Sequence, residues 1–143
     1  MTPQNPNYQS VIRGIFAEAG FISELGVELR EVGPGWCETA LAVAPRHWQQ
    51  NGFIHAGVQA TMADHTAGAA AATLMAAGQM VLTVEFKINL LRPAVGEQLR
   101  CRAEVVKAGK RISFVEAAVY ASDNDESKLV AKLAATMTFV PVL

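Results

Sequence analysis

The feature that most restricts the fold of this chain is an alanine-rich stretch without proline, followed directly by a two-residue alternation. Ten of the 22 residues from Ala56 to Ala77 are alanine, the residue with the highest helix propensity. After Gly78, apolar side chains at every second position from Leu82 to Leu90 alternate with polar ones, the pattern of a half-buried strand. A long helix beside strands predicts a mixed α and β protein.

The remaining segments predict mainly antiparallel strands. A short amphipathic helix is expected at Tyr8–Ala19, ended by Gly20. A Gly-Pro-Gly turn between two strands indicates a first hairpin, and four consecutive strands after the long helix are expected to form an antiparallel meander. The expected strands are Leu25–Val32, Trp36–Val43, Leu82–Leu90, Leu99–Ala108, Ile112–Ala121 and Leu129–Val140.

A single long helix has to bury one face against the sheet. A stripe of small side chains, spaced three or four residues apart, would let the helix lie close inside a curved sheet. The expected fold class is therefore α+β, a long central helix wrapped by a curved antiparallel sheet, with a short N-terminal helix. The 143 residues fit one domain, 1–143. The stripe consists of Ala56, Ala60, Ala63, Ala67 and Ala71.

The composition indicates that the chain has a partner subunit. Charged residues make up 17% of the chain and hydrophobic residues 51%, whereas an average soluble domain is roughly 25% charged. Such a surface needs covering, and long open strand edges are an aggregation hazard unless they pair. A homodimer is therefore expected.

Charge, hydropathy and cysteine spacing exclude several classes of function. The formal net charge of -1 shows no excess of basic residues that would bind a nucleic acid or an anionic membrane. Neither a membrane span nor a secretory signal is visible. Cys37 and Cys101 match neither a CxxC pair nor a disulfide framework, so free thiols in a reducing cytoplasm are expected. The three histidines lack the spacing of zinc ligands, and no metal or cofactor is expected.

Asp64 is the residue that most needs a chemical explanation. It lies in a run of Ala, Met, Val and Leu, where an unpaired buried carboxylate costs several kcal/mol. His55 precedes it by nine residues, which on an ideal helix is about 180° around and roughly 13 Å along the axis. The two side chains cannot meet within one chain. They can share a site only if Asp64 of a second subunit faces the start of this helix, as in a two-fold dimer.

The start of the helix offers further polar groups. Free backbone N–H groups at Ala56 and Gly57, at the positive end of the helix dipole, suit a developing oxyanion. Each nearby side chain also has a purely structural interpretation: His55 as a helix cap, Asn51 as part of a turn, and Gln49 as a solvated loop residue. Together these groups have the parts for acyl transfer.

These residues resemble a known family. The stretch GFIHAGVQATMADHTAG resembles the G-x-x-H-G-G loop, and the acidic residue nine positions after its histidine, of hotdog-fold acyl-CoA thioesterases of the phenylacetate-degradation (PaaI-like) type. Downstream, VLTVEFKINLLRPAVGEQLRCRAEVVKAGKR and LVAKLAATMTF are similar to the family's strands and its LRPA-x-x-G turn. The resemblance covers about residues 25 to 140. It implies a hotdog fold, dimers and often tetramers, and hydrolysis of an acyl-CoA.

The resemblance implies a role for each matching residue. Asp64 matches the catalytic carboxylate, acting as nucleophile or as general base for water. His55 matches the loop histidine that orients the thioester, and Ala56 and Gly57 match the oxyanion-hole segment. Gln49 matches a position that in some members polarises the thioester carbonyl. Ala56 stands where the family usually has the first of two glycines, so a positive φ there would be strained.

The resemblance implies further contacts with the substrate. Asn51 replaces Gln49 if the loop register shifts, and Thr83 matches a hydroxyl position that in some relatives helps to hold the attacking water. Arg92, Lys110 and Arg111 are near turns and are candidates for the coenzyme A phosphates, although each also fits a solvated surface charge.

Two other functions fit the same scaffold. One is a non-catalytic protein that binds acyl-CoA or lipid. The presence of Asp64, which matches the catalytic carboxylate, favours an enzyme instead. The other, less favoured, is a hydratase or dehydratase, because the His-containing, Pro/Gly-rich signature of those enzymes is absent. The acyl group stays open among aromatic, medium-chain and long-chain types.

Overall fold

The computed structural model describes residues 1–143 and consists of one antiparallel sheet of six strands around one long helix. This arrangement confirms the predicted α+β class. No helix has both the length and the apolar character that a membrane span needs. The elements are α1 (Tyr8–Glu18), α2 (Gly20–Leu25), β1 (Val27–Gly33), β2 (Trp36–Ala42), α3 (Ala56–Ala72), β3 (Gln79–Leu90), β4 (Gln98–Ala108), β5 (Ile112–Asp123) and β6 (Glu126–Pro141).

Helix α3 lies inside the curve of the sheet and contacts all six strands. Ala63, Ala67 and Ala71 of the predicted stripe are completely buried, so the helix backbone can approach the sheet closely. Ala56 is exposed and Ala60 is half-buried. The small-residue stripe therefore faces the sheet only after the first turn of the helix.

Helix α3 ends at Ala72, before the predicted end at Ala77. The Thr73 hydroxyl donates to Ala70 O at 2.7 Å and accepts the Gly35 N–H at 2.8 Å. The next turn tightens, with Leu74 N–H donating to Ala71 O at 3.0 Å. Helix propensity alone places the end too late, because it cannot include a bond from the distant β1–β2 turn.

The N-terminal region contains two short helices where one was predicted. Gly20 begins α2 instead of ending the helical region. The turn out of α2 occurs at Gly26, whose φ of 91° favours glycine. Strand β1 consequently begins at Val27 and not at Leu25.

The prediction of a four-stranded meander is wrong. The strand order is β1-β2-β4-β5-β6-β3, so β4, β5 and β6 form a meander and β3 pairs with β6 at the far edge. Residues 91–97 cross the end of the sheet, where Leu91 N–H donates to Val130 O and Glu97 N–H to Ser122 O. Helix α3 crosses the sheet, so the strand after it starts at the edge opposite β1. The turn containing Pro93, which lacks an N–H, is too long for a tight hairpin.

A β-bulge in β3 changes which of its side chains face the core. Val84 is an extra residue next to the pair formed by Thr83 and Met137. Residues directly opposite each other share a face of the sheet, and Met137 is buried, so Thr83 lies on the inner face. Leu82 is opposite Thr138 and is 48% exposed. The uninterrupted alternation predicted for this strand therefore fails before the bulge.

Strand β3 is also an open edge of the sheet. It is 12 residues long, and its second edge has no partner in the chain. Leu82, Val84, Phe86 and Leu90 are all exposed along it. An exposed, apolar edge of this length is a template for another strand.

Candidate active site

The predicted site residues form two groups at different positions along α3. The first group lines a cleft of about 470 Å³, which we call the loop cleft. The second lines a cavity of about 440 Å³, which we call the carboxylate cavity. Lys110 and Arg111, in the β4–β5 turn, line neither. Gln49, His55, Ala56 and Arg92 line the loop cleft, and Asp64 and Thr83 line the carboxylate cavity.

His55 is the N-cap of α3. Its ring Nδ1 accepts the Gly57 N–H at 2.8 Å, which matches the structural interpretation of this residue as a cap. Because Nδ1 acts as an acceptor, the neutral ring carries its proton on Nε2. The side chain is exposed, so this N–H is available to a ligand.

The backbone N–H groups at the helix start differ from the prediction. The Gly57 N–H is already bound to His55, so Ala56 supplies the free N–H, at the positive end of the helix dipole. A Cβ at residue 57 would lie 3.0 Å from His55 Nδ1, which explains the glycine there. Ala56 is helical, and Asn124 is the only non-glycine residue with positive φ. The strain expected at Ala56 is absent.

Gln49 begins a turn that its own side chain closes. Its Oε1 accepts the Asn51 N–H, and its backbone carbonyl accepts the Gly52 N–H at 3.0 Å. Gly52 has φ of 82°, which favours glycine. Gln49 Nε2 makes no hydrogen bond within the chain, whereas Asn51 contributes its backbone and not its side chain.

Asp64 is paired with a hydroxyl group. Thr83 Oγ1 donates to Asp64 Oδ1 at 2.8 Å, and it can do so because the bulge at Val84 leaves Thr83 on the inner face. No salt bridge involves Asp64. The second carboxylate oxygen, Oδ2, has no hydrogen-bond partner in the chain and is free to meet water or a substrate.

His65 also lines the carboxylate cavity, although no role was predicted for it. Its ring makes an edge-to-face contact with Phe16 of α1, with centroids 4.6 Å apart. Burial lowers the pKa of His65, although the neighbouring Asp64 charge opposes this shift. Its Nε2 is buried without a hydrogen-bond partner. Its position next to Asp64 was visible in the sequence, but the contact with α1 was not.

Gln59 is a buried polar residue of the loop cleft for which no role was predicted. It is 3% exposed, its Nε2 donates to Ile54 O at 3.3 Å, and its Oε1 has no partner. A glutamine inside an apolar helix is the only signal in the sequence that could have identified it.

The two groups do not meet within one chain. His55 caps α3, and Asp64 lies nine residues further along it, a rise of roughly 13 Å and about half a turn around the axis. The spacing argument is thus consistent with two separate cavities.

Comparison with known proteins identifies the family. The family model of the thioesterase superfamily matches residues 51–128. The crystal structure of a thioesterase family protein from Silicibacter pomeroyi is 37% identical, with a TM-score of 0.92, and covers 94% of this chain and 99% of that one. The chain therefore belongs to the thioesterase superfamily. It has the hotdog fold and is a thioester hydrolase.

Two further proteins are similar to this chain, one in sequence and one in structure. The 1,4-dihydroxy-2-naphthoyl-CoA hydrolase of Listeria monocytogenes is 28% identical over 91 residues, which are 64% of this chain and 74% of the relative. A phenylacetic acid degradation-related protein from Ralstonia eutropha has a TM-score of 0.79 at 23% identity, covering 92% of this chain and 98% of that one. The second likeness concerns the fold alone.

Proposed function

We propose that the protein hydrolyses the thioester of an acyl-CoA, or of a related acyl carrier, to a free carboxylic acid and a free thiol. The observation that carries this proposal is the Asp64 carboxylate, held by Thr83 at 2.8 Å beside an apolar cavity. Its free oxygen either attacks the thioester carbon or takes a proton from the attacking water. The Listeria relative, a CoA-thioester hydrolase by name, supports coenzyme A as the carrier.

The loop cleft would stabilise the charge that develops on the thioester oxygen. The Ala56 N–H and the His55 Nε2–H have no partner in the chain, both residues line the cleft, and Gln49 Nε2 adds a third donor. Fixed donors of this kind stabilise an oxyanion without reorganisation during the reaction. Asn51 acts indirectly, because its N–H fixes the Gln49 side chain.

A complete site requires two subunits. Asp64 and the loop cleft lie about half a turn apart on α3, so the carboxylate of one subunit would serve the loop cleft of its partner. Pairing of the open β3 edges about a two-fold axis would cover the exposed Leu82, Val84 and Phe86. The protein would thus act as a homodimer, or as a homotetramer built from dimers, and a cytoplasmic location remains our expectation.

Arg92 is the best placed of the three candidate phosphate contacts. It lines the loop cleft with His55, whereas Lys110 and Arg111 lie at the β4–β5 turn. A guanidinium group can bind phosphate oxygens through two parallel hydrogen bonds. Lys110 and Arg111 line neither the loop cleft nor the carboxylate cavity, which makes them less favoured candidates.

Release of free thiol from acyl-CoA substrates tests the role of Asp64. We expect Asp64→Asn to lower kcat at least about 100-fold, since it keeps the size of the side chain but removes the base or nucleophile. Asp125→Asn, in the exposed β5–β6 turn, is the matched control and should turn over at the wild-type rate. Wild-type turnover in Asp64→Asn would refute the assignment. An acyl-CoA that binds to the wild type without turnover would favour the non-catalytic alternative.

Subunit mixing tests the shared site separately. His55→Ala and Asp64→Ala chains are each expected to be inactive. After verified subunit exchange, half of the dimers are hybrids with one intact site, so about a quarter of the wild-type activity should return. Complete absence of recovery would place each site within a single subunit.

A further inference from the structure

We propose that the carboxylate cavity is the acyl pocket and that it selects uncharged acyl groups with a length of up to about ten carbons, with α1 as its outer wall. This inference rests on the proposed function and names the substrate class for the same site. It draws on the dimensions of the cavity, on the charges around it and on one glycine of α3.

The dimensions set the length of the acyl group. The volume of about 440 Å³ lies in the lower part of the roughly 300–1,000 Å³ usual for small-molecule sites. Thr83 lines the cavity beside Asp64, and Gln79 lines it four residues earlier on β3, which is a distance of about 13 Å along the strand. Carbon–carbon bonds of about 1.5 Å advance an extended chain by about 1.25 Å each, so about ten carbons span it.

The walls of the cavity are mainly apolar, and α1 provides one of them. Val11, Ile15 and Glu18 line the cavity and recur at the spacing of one helix face. Met75, in the turn after α3, and Val81 of β3 also line it. The acyl chain would therefore lie between α1 on one side and α3 and β3 on the other.

The charges around the cavity select against anionic acyl groups. Asp64 and Glu18 are the only charged residues that line it, and no lysine or arginine does. His65 is uncharged at neutral pH because burial lowers its pKa. An acyl group ending in a carboxylate would lose its hydration and meet two like charges without a cation to compensate.

Gly68 keeps the cavity open next to the reaction site. It lies one helical turn after Asp64 and lines the cavity. A Cβ built on it would make ordinary van der Waals contact with Val81 Cγ1 at 3.9 Å, so α3 and β3 leave room for one methyl group at this level and a larger side chain would fill the space between them. Glycine costs roughly 0.5–1 kcal/mol relative to alanine inside a helix. In a helix otherwise rich in alanine, a glycine at this position is explained by the room that it leaves for a substrate.

A panel of acyl-CoA substrates tests the length and the charge. For the wild type, kcat/KM should rise from butanoyl-CoA to decanoyl-CoA and gain nothing further with hexadecanoyl-CoA. Glutaryl-CoA, which has a terminal carboxylate, should react at least about tenfold more slowly than pentanoyl-CoA, with the same number of carbons. Equal rates for this last pair, or a continued rise beyond decanoyl-CoA, would overturn the inference.

Two substitutions change the pocket in opposite directions. Gly68→Leu should lower the ratio of decanoyl-CoA to butanoyl-CoA kcat/KM at least about tenfold, whereas Ile15→Ala should extend the rise in kcat/KM beyond decanoyl-CoA. Gly14→Leu is the matched control, because this α1 glycine has no atom within 4 Å of its Cβ position and does not line the cavity. Its ratio should equal that of the wild type.

The outcomes separate this inference from the proposed function. Turnover of acyl-CoA substrates with length preferences that neither substitution shifts would overturn the acyl pocket alone. Failure of the wild type to hydrolyse any substrate of the panel would overturn the proposed function, and the acyl pocket with it. If circular dichroism shows that Gly68→Leu is unfolded, Ile15→Ala decides by the same criterion.

Discussion

Thr83 and His65 give the Asp64 carboxylate two different neighbours. The Thr83 hydroxyl donates to it, and the His65 ring stays uncharged and packs against Phe16. Burial lowers the pKa of His65 from 6.5, and the Asp64 charge offsets only part of this shift. The environment of His65 is therefore more favourable to the neutral ring than water is.

This shift predicts a loss of stability on mild acidification. Since the unfolded chain takes up the proton more readily, the contribution of neutral His65 is present above about pH 6.5 and is lost as the pH falls through the lower folded-state pKa. Urea unfolding between about pH 7.5 and pH 5 should show this decline. His65→Phe keeps a ring against Phe16 without the titration, so its decline should be shallower; an identical slope would contradict the prediction.

Single residues could be identified from the sequence where a polar side chain stands out from its neighbours or has a defined place beside a helix. Asp64 is conspicuous in an apolar run, and the capping position of His55 follows from its place before the helix. The contact between His65 and Phe16 was not predictable, because it joins two helices that are distant in sequence.

Strand β3 shows why elements were predicted better than their pairing. Each of the six strands was predicted at nearly the correct place, because alternation of side chains is a local property. The partner of β3 is β6, which no local pattern specifies. The bulge at Val84 was missed for the opposite reason, since the sequence alternates through it without interruption.

The bulge predicts opposite sensitivities for two neighbouring residues. Val81 packs against the core, whereas Leu82 lies on the outer face and is 48% exposed. Val81→Ser should lower the free energy of unfolding by about 1–2 kcal/mol, and Leu82→Ser by clearly less. Urea unfolding of both variants measures this difference. Uninterrupted alternation would instead make Leu82→Ser the more damaging change.

The whole molecule is organised around one core beneath the sheet. Thirty-one buried residues form a single cluster, which includes Cys37 of β2 and Cys101 of β4. Burial is the main cause that raises the pKa of each thiol to about 12. Both cysteines are free, as the sequence predicted, and both remain protonated at neutral pH.

Thiol labelling should therefore report unfolding of the whole molecule. The thiolate is the reactive form, so at about pH 8 the native protein should react with iodoacetamide far more slowly than the chain in urea, whose thiols have pKa values of about 8.5. Mass spectrometry of the alkylated protein measures both rates. Comparable rates would mean that local openings expose the core.

The pairing of β3 with β6 also determines the order of events on the ribosome. Paired residues of these strands lie between 41 and 62 positions apart in the chain. At roughly 5–20 residues per second, a nascent chain holds β3 for several seconds before its partner is synthesised. During that interval the apolar side chains of β3 are exposed on a strand with two open edges. Nascent-chain chaperones that cover such segments should thus have their main target in β3, and a ribosome stalled before β6 would prolong its exposure.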